Sequence, residues 1–119
     1  MSDSSRSDGG QAQSAPAEVE VLVVPDCPNR SGAEQLVRAA IAEAGLGRIE
    51  PRTRVVQTDE DAARLGFSGS PSFRIDGRDP FGPAGSPSMA CRLYLTAAGL
   101  RGLPELSALT AALGRSRSR

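Results

Sequence analysis

The sequence predicts an α/β fold with the element order β-α-β-α-β-β-α, in which helices flank a central mixed sheet. The β-branched, almost wholly apolar run 19–24 (VEVLVV) indicates a strand buried on both faces. A helical stripe follows it, and then a second strand-like run, 52–57 (RTRVVQ). A strand, a crossover helix and a second strand make a βαβ unit, so we expect these two strands to be parallel.

Two helices are predicted in the first half of the chain. The first runs from Pro28 to about Ala44, because apolar side chains recur at helical spacing at Leu36, Val37, Ala40, Ile41 and Ala44. Pro28 suits a first helical turn, where its missing N–H costs nothing. The second helix spans 59–65, with Thr58 as its cap and acidic residues in the first turn, where the helix dipole favours them.

The second half of the chain supplies the remaining elements. A strand over Ser72–Ile75 ends at the turn signal Asp76–Gly77, and a Pro/Gly-rich loop covers 78–88. A last strand is predicted over 91–95, and it can pair with the preceding strand as a hairpin across the loop. Pro104 begins a final helix that extends to about Leu113 and turns three side chains inward: Leu106, Leu109 and Leu113.

The 119 residues are expected to hold one domain with a tail at each end. Residues 1–17 are mostly Ser, Gly, Ala, Gln and Asp, which cannot repay the entropy of ordering, so they form a disordered tail. The remainder, 18–114, is the domain. The end, 115–119 (RSRSR), is a short basic tail; a solvated terminus and a weak anion or nucleic-acid contact both fit it.

Composition excludes several classes of function. Lys plus Arg and Asp plus Glu both number 14, and every cation is Arg, so the chain lacks a Schiff-base lysine. It also lacks histidine, which removes the usual general base and the commonest metal ligand. The two cysteines, far apart in sequence, make neither a zinc ribbon, an iron–sulfur cluster nor a disulfide scaffold. We expect no cofactor and no resident metal.

The N-terminal segment carries no apolar stretch of the kind found in signal peptides, and no run approaches a membrane span. We therefore expect a cytoplasmic protein whose thiols are reduced at rest, with neither a membrane nor a nucleic acid as its main partner. The sequence carries no signal for oligomeric state.

Cys27 is the first candidate for chemistry. It follows the first strand and opens the first helix, where unpaired N–H donors and the helix dipole favour its thiolate form. The thiolate is the reactive form of cysteine. Arg30, one turn later, adds a positive charge, whereas the neighbouring Asp26 acts the other way if it lies close. The alternative is that Cys27 is only a small buried or capping residue.

These local features resemble those of a known fold family. Cys27-Pro28-Asn29-Arg30 stands where thioredoxin-fold proteins carry their Cys-x-x-Cys motif, and Gly69-Ser70-Pro71-Ser72 stands where they carry a cis-proline. The runs VLVVPDCPN, GFSGSPSFRIDGRDPF and ACRLY are also similar to small actinobacterial thioredoxin-like proteins, often labelled thioredoxin family or alkylmercury lyase-like.

The resemblance implies a thioredoxin-like fold over 18–114 and a cis Ser70–Pro71 bond beside Cys27. It further implies that the backbone of Ser70 pairs with an extended peptide or with glutathione. One departure is chemical. Arg30 stands at the second redox position, so the chain cannot form the internal disulfide of a dithiol oxidoreductase.

Cys91 is the second thiol, and its role is open between core packing and chemistry. In a regular thioredoxin fold the start of the fourth strand lies at the end of the sheet remote from Cys27, more than about 10 Å away by strand rise. A disulfide needs Cα atoms within about 7 Å. We therefore expect the two thiols to be separated, unless the long loop shifts the strand.

Three functions remain open on the sequence. The first is a monothiol redox protein in which Cys27 forms mixed disulfides with a small thiol or a protein thiol. The second is alkylmercury lyase-like cleavage of organomercurials, or mercury binding, by Cys27 and Cys91, with Asp26 as the nearby acid. The third is a thioredoxin-like binding module without catalysis.

Overall fold

The computed structural model describes Pro16 and residues 18–81 and 87–117, and within these the chain forms an α/β fold. Its three helices are α1 (Arg30–Glu43), α2 (Asp59–Leu65) and α3 (Leu106–Arg117). The described residues form seven strands: β1 (Val19–Val23), β2 (Arg52–Val55), β3 (Ser68–Ser70), β4 (Ser72–Ile75), β5 (Ser88–Cys91), β6 (Tyr94–Thr96) and β7 (Gly99–Arg101).

The central sheet is mixed and has the order β2-β1-β4. Strand β1 runs parallel to β2, with Val21 opposite Thr53, and antiparallel to β4, with Val21 opposite Phe73. The parallel βαβ crossover predicted from the sequence is thereby confirmed. Its central strand is also buried as predicted, because each of its four apolar residues is at most 1% exposed.

Helices cover both faces of this sheet. Strand side chains alternate between faces, so the valines of β1 and Leu22 point in opposite directions. The valines join the larger core with residues of α1 and α3, among them Val37, Ile41, Leu109 and Leu113. Leu22 joins a smaller core on the other face with Val56, Ala62 and Phe67. The molecule is therefore a three-layer structure with α1 and α3 on one side and α2 on the other.

An aromatic cluster extends the larger core. The ring of Phe73, on β4, lies edge-on to Phe81 and Tyr94, with centroids 6.2 and 6.1 Å away, and these two rings meet each other at 5.3 Å. Such edge-to-face contacts add to the burial energy of the rings. The cluster attaches the segments after β4 to the central sheet.

The helix boundaries follow the local signals with small differences. Helix α2 has the predicted bounds, and the Thr58 hydroxyl caps it by accepting a hydrogen bond from the N–H of Asp61 at 3.0 Å. Helix α1 begins at Arg30 rather than at Pro28. Pro28 therefore lies in the turn before the helix, and its predicted place in the first helical turn is wrong.

The prediction of the last strand is also wrong. Instead of one strand over 91–95, the chain forms β5, which ends at Cys91, and β6, which begins at Tyr94. Strand β5 runs parallel to β3, a short strand in the Gly-Ser-Pro segment before β4, where the sequence predicted no strand. Strand β6 pairs with β7 in a hairpin that the sequence did not predict. Among the described residues the sheet order contains no pairing of β4 with β6.

Helix α3 begins at Leu106 and continues through Arg117, so residues 115–117 are helical rather than part of a tail. Leu109 and Leu113 are fully buried as predicted, but Leu106 is 37% exposed, so the inward stripe begins one turn later than expected. The predicted tail 1–17, except Pro16, lies outside the described residues, as do 82–86 and 118–119. None of the helices in the described part of the chain has the length and apolar character needed to cross a bilayer.

Candidate functional site

Two successive proline turns position Cys27 at the end of β1. The N–H of Cys27 donates to the carbonyl of Val24 at 3.3 Å, and the N–H of Arg30 donates to the carbonyl of Cys27 at 3.2 Å. Each turn has proline at its second position, Pro25 in the first and Pro28 in the second. Proline presets the backbone angle that this position requires. Cys27 is therefore the shared corner of two restrained turns, directly before α1.

Asp26 has a conformational role in the first of these turns. Its φ is 60°, in the left-handed region, which a type II turn requires at its third position. Aspartate tolerates this region better than most residues because its short side chain can bond locally. The Asp26 side chain is exposed, so the residue is explained by the left-handed backbone conformation of the turn and not by packing.

Replacing Asp26 tests this conformational role. We expect Asp26→Val to lower the free energy of unfolding by about 1–2 kcal/mol, the cost of holding a β-branched residue in the left-handed region. Asp26→Asn keeps the turn geometry, removes the charge and should leave stability nearly unchanged. Urea unfolding of both variants measures the difference. Equal losses in the two variants would show that the carboxylate, and not the backbone, matters here.

The Cys27 side chain faces the core. The residue is 9% exposed, its thiol is free, and it belongs to the larger core cluster with residues of β1 and α1. The start of α1 is covered by the segment before α3. A Cβ on Gly102 would lie 2.5 Å from the Asn29 side chain, and a Cβ on Gly32 would lie 3.0 Å from Leu103. Close packing therefore restricts the approach to Cys27 from this side.

Arg30, predicted to support the thiolate, pairs with a carboxylate of its own helix. Its Nε lies 3.3 Å from Glu34, which also accepts a hydrogen bond from the Thr53 hydroxyl at 2.6 Å. The Thr53 bond lowers the pKa of the Glu34 carboxyl; burial opposes this, and Arg30 adds to the lowering. The positive charge of Arg30 is therefore shared with Glu34, and its guanidinium is half exposed.

The Ser70–Pro71 bond is cis, as the resemblance implied, and this segment contacts the Cys27 turn. The Ser70 hydroxyl accepts a hydrogen bond from the N–H of Val24 at 3.0 Å. Val24 is the residue whose carbonyl closes the first proline turn. The fold thus brings the Ser70–Pro71 segment and the Cys27 turn, which are distant in sequence, to the same end of the sheet.

The backbone of Ser70 is not free to pair with another molecule. Its carbonyl accepts a hydrogen bond from the N–H of Arg92 at 2.9 Å, at the end of β5. Gly69 permits this close approach, because a Cβ there would lie 2.8 Å from Cβ of Arg92, and its φ is +131°. The expectation that Ser70 offers its backbone to a peptide or glutathione is therefore corrected: the chain's own strand occupies that position.

Cys91 does not lie where the sequence placed it. It is exposed, it ends β5, and it is the register partner of Ser70. The expected separation from Cys27 assumed a strand that starts at Cys91 and pairs with β4. That premise is wrong, because β5 pairs with β3 and ends at Cys91, opposite Ser70. The strand beside the Ser70–Pro71 segment therefore carries the second thiol.

Sequence reasoning missed a polar group that holds this region together. Arg92 donates hydrogen bonds to Asp79 and to the Ser72 hydroxyl, and its guanidinium lies 4.8 Å from the centre of the Tyr94 ring. Burial, the largest effect, opposes the charge on Arg92, but the hydrogen bond to Asp79 and the electrostatic interactions with Tyr94 and Asp79 together outweigh it and raise the pKa of the guanidinium. The only sequence signal was a lone arginine within the otherwise apolar run ACRLY.

Tyr94 completes the attachment of the cis-proline segment. Its hydroxyl donates to the carbonyl of Pro71, while the Ser72 hydroxyl donates to the carbonyl of Gly69 at 2.6 Å. Burial raises the pKa of the Tyr94 phenol, although the charge of Arg92 acts in the opposite direction. The phenol therefore keeps its proton in the folded chain at pH values where an unfolded tyrosine loses it.

This raised pKa predicts an alkaline loss of stability. Because the unfolded chain releases the Tyr94 proton near pH 10 and the folded chain holds it, the stabilisation is complete below about pH 10 and falls as pH rises further. Tyr94→Phe lacks the hydrogen bond to the Pro71 carbonyl, so its free energy of unfolding should be about 1 kcal/mol lower at neutral pH. The variant should also lack the alkaline loss of stability. Urea unfolding below and above pH 10 measures this alkaline loss, and Tyr94 is the one tyrosine of the chain, so no other tyrosine contributes to it. Parallel pH dependence in both proteins would contradict the prediction.

Comparisons of the chain with protein-family models, with curated proteins and with solved structures found no match in any of the three. Within the described residues, no group of three or more His, Cys, Asp or Glu side chains is arranged to hold a metal ion. Function is therefore inferred from the site itself: the Cys27 turn, the cis Ser70–Pro71 segment and the strand that carries Cys91.

Proposed function

We propose that this chain is a thioredoxin-like protein that carries out thiol–disulfide exchange at Cys27. The sheet order β2-β1-β4, with a thiol between β1 and α1 and a cis-proline before β4, supports the fold assignment. The observation that carries the function is the hydrogen bond between the Ser70 hydroxyl and Val24, because it joins the cis-proline segment to the Cys27 turn.

The chemistry needs one thiolate and one disulfide substrate. The Cys27 thiolate attacks a sulfur of the substrate disulfide, forms a mixed disulfide with that half and releases the other half as a thiolate. Arg30 stands where a Cys-x-x-Cys protein has its second cysteine, so this release cannot be followed by closure within the motif. Such exchange suits a reducing compartment, such as the cytoplasm, in which Cys27 is a free thiol between reactions.

Single-thiol variants test this function. Cys91→Ser leaves Cys27 as the only thiol, and Cys27→Ser leaves only the exposed Cys91. We expect native Cys91→Ser to take up one glutathione from oxidised glutathione and release one reduced glutathione, with the adduct mapped to Cys27 by mass spectrometry. If native Cys91→Ser forms no adduct while Cys27→Ser does, Cys27 is a packed core residue and the chain fits a binding module without catalysis.

A second candidate function uses both thiols on mercury. The observation that favours it is the register of Cys91 with Ser70, because it contradicts the strand pairing from which the separation of the cysteines was predicted. Two soft thiolates suit Hg²⁺. Cleavage of an organomercurial would break the carbon–mercury bond, deliver a proton to carbon with Asp26 as the nearby acid, and leave Hg²⁺ on the thiolates.

Mercury titration separates the two candidates. If the second is right, the wild-type chain binds one Hg²⁺ with loss of both free thiols, and each single-thiol variant binds it more weakly. Incubation with phenylmercury should then release benzene, and Asp26→Asn should slow this release without weakening Hg²⁺ binding. Equal affinity of the wild type and the Cys91→Ser variant would exclude a two-thiol mercury site.

A further inference from the structure

Strand β5 lies where an exchanging peptide would have to pair. The cis-proline segment offers a hydrogen-bonding edge at β3, and the chain fills that edge with its own extended segment, Ser88–Cys91. The bond from Arg92 N–H to the Ser70 carbonyl continues the pairing by one residue. An exposed cysteine stands in this segment at the position opposite Ser70. The chain thus carries a second thiol on the extended strand that flanks the cis-proline segment.

We infer that Cys91 is the resolving thiol of Cys27, so that the redox cycle of this chain closes through a long-range intrachain disulfide. The inference rests on the proposed exchange at Cys27. Cys91 would provide the second thiol that the segment Cys27-Pro28-Asn29-Arg30 lacks. This thiol lies on β5, the strand paired with the cis-proline segment.

The cycle balances with a low-molecular-weight disulfide as the oxidant, for example oxidised glutathione. Cys27 attacks it, forms a mixed disulfide and releases one reduced glutathione. The Cys91 thiolate then attacks the Cys27 sulfur, which releases the second glutathione and leaves the Cys27–Cys91 disulfide. Each molecule of chain loses two thiol hydrogens, and one molecule of oxidised glutathione becomes two of reduced glutathione. Two reduced glutathione molecules reverse the steps.

Strand β5 is suited to the approach that bond formation requires. A disulfide needs Cα atoms within about 7 Å of each other. When the two thiols approach, the more loosely held of the two segments is the one that moves. Among the described residues, β5 has β3 as its one strand partner, over a short register that shifts between Ser68 and Ser70, although Arg92 directly after it bonds to Ser70 and Asp79. The Cys27 turn, in contrast, is fixed by two prolines and by the core. We therefore expect β5 to adjust while the Cys27 turn stays in place.

The test is the product that oxidised glutathione leaves on dilute native protein. Wild-type chain should lose both free thiols, gain no glutathione and remain monomeric, and a non-reducing digest should give one peptide pair linked through Cys27 and Cys91. Cys91→Ser should instead keep one glutathione on Cys27. Cys91→Ser replaces a thiol by a hydroxyl of similar size at an exposed position, so we expect the fold to stay intact.

A displaced thiol provides the matched control. Ala90→Cys combined with Cys91→Ser moves the thiol by one residue along β5, away from the position opposite Ser70. Ala90 is exposed, as Cys91 is, so general thiol accessibility is preserved. We expect this variant to retain the Cys27 adduct, with closure slowed at least about tenfold, which corresponds to about 1.4 kcal/mol of activation free energy.

The outcomes distinguish the resolving role of Cys91 from the exchange function of Cys27. If Cys91→Ser forms the Cys27 adduct and the wild type forms the same adduct without ring closure, the resolving role is wrong and the exchange function stands. If the displaced thiol closes as fast as Cys91, the position opposite Ser70 has no special role. If Cys91→Ser forms no adduct, the exchange function itself fails. A disulfide-linked dimer in place of the intrachain product would also overturn the inference.

Discussion

Replacing Phe73 by alanine is expected to lower the free energy of unfolding by about 3–5 kcal/mol. The side chain is fully buried, it lies opposite Val21 in the central sheet, and it contacts both other rings of the aromatic cluster. Its removal leaves a cavity between the sheet and the segments that follow β4. A loss of this size is a large part of the 5–15 kcal/mol that typically stabilises a domain.

Leu95→Ala is the matched control for this substitution. It also deletes a large apolar side chain, but Leu95 is 83% exposed on the β6–β7 hairpin, so its loss should change the free energy of unfolding by no more than about 0.5 kcal/mol. Urea unfolding, with the denaturant slope checked for each variant, measures both values. A loss below about 1 kcal/mol for Phe73→Ala would contradict the position of β4 in the core.

Removing the carboxylate of Asp79 is expected to cost about 3 kcal/mol, because it leaves the guanidinium of Arg92 without its charged partner in a partly buried position. The two side chains are 17% and 12% exposed, and Arg92 also bonds to Ser72 and stacks on Tyr94. Since the backbone of Arg92 bonds to Ser70, Asp79→Ala should also loosen β5 and increase hydrogen exchange at the Arg92 amide.

An exposed ion pair provides the control for the Asp79 substitution. Arg38 and Glu50 form a 3.4 Å pair with side chains 56% and 85% exposed, so Glu50→Ala should cost less than about 1 kcal/mol. The double variant Asp79→Leu with Arg92→Met removes both charges and should recover part of the loss seen with Asp79→Ala. Equal effects of Asp79→Ala and Glu50→Ala would show that the Arg92 pair is no more important than a surface pair.

The first half of the fold could be predicted because its signals are local. The strand VEVLV, the stripe of α1 and the Thr58 cap each determine their element within a few residues of sequence. The start of α1 was placed two residues early because Pro28 fits both a first helical turn and the second position of a β-turn. The hydrogen bond from Arg30 to the Cys27 carbonyl selects the turn.

The second half could not be predicted in the same way because its elements are short and held by distant partners. Strand β3 has only three residues and lies in a Gly-Ser-Pro segment that indicates a turn. It becomes a strand because β5 pairs with it, and β5 approaches that closely because Gly69 has no side chain. No local pattern in ACRLY shows that Arg92 finds Asp79.

The candidate site shows the same division. Cys27, Ser70 and Pro71 could be found from their places after one strand and before another. The structural role of Asp26 could not, since a positive φ leaves no periodic signal. Cys91 was assigned to the wrong end of the sheet because its pairing partner was misidentified. The backbone of Ser70 was expected to form an open edge. That edge is instead occupied by β5, a strand that begins 18 residues later in the chain.

The most direct test of the central claim is the exchange rate of Cys27 with oxidised glutathione in the Cys91→Ser variant, native and urea-unfolded, at one pH. We predict that the native thiol exchanges at least as fast as the unfolded one, because the hydrogen bond from Val24 to Ser70 holds the Cys27 turn against the cis-proline segment. A thiol that is merely packed in the core reacts only through the unfolded fraction, about 10⁻³ or less of the molecules. A native rate reduced to that extent would contradict the claim that Cys27 is the reactive centre.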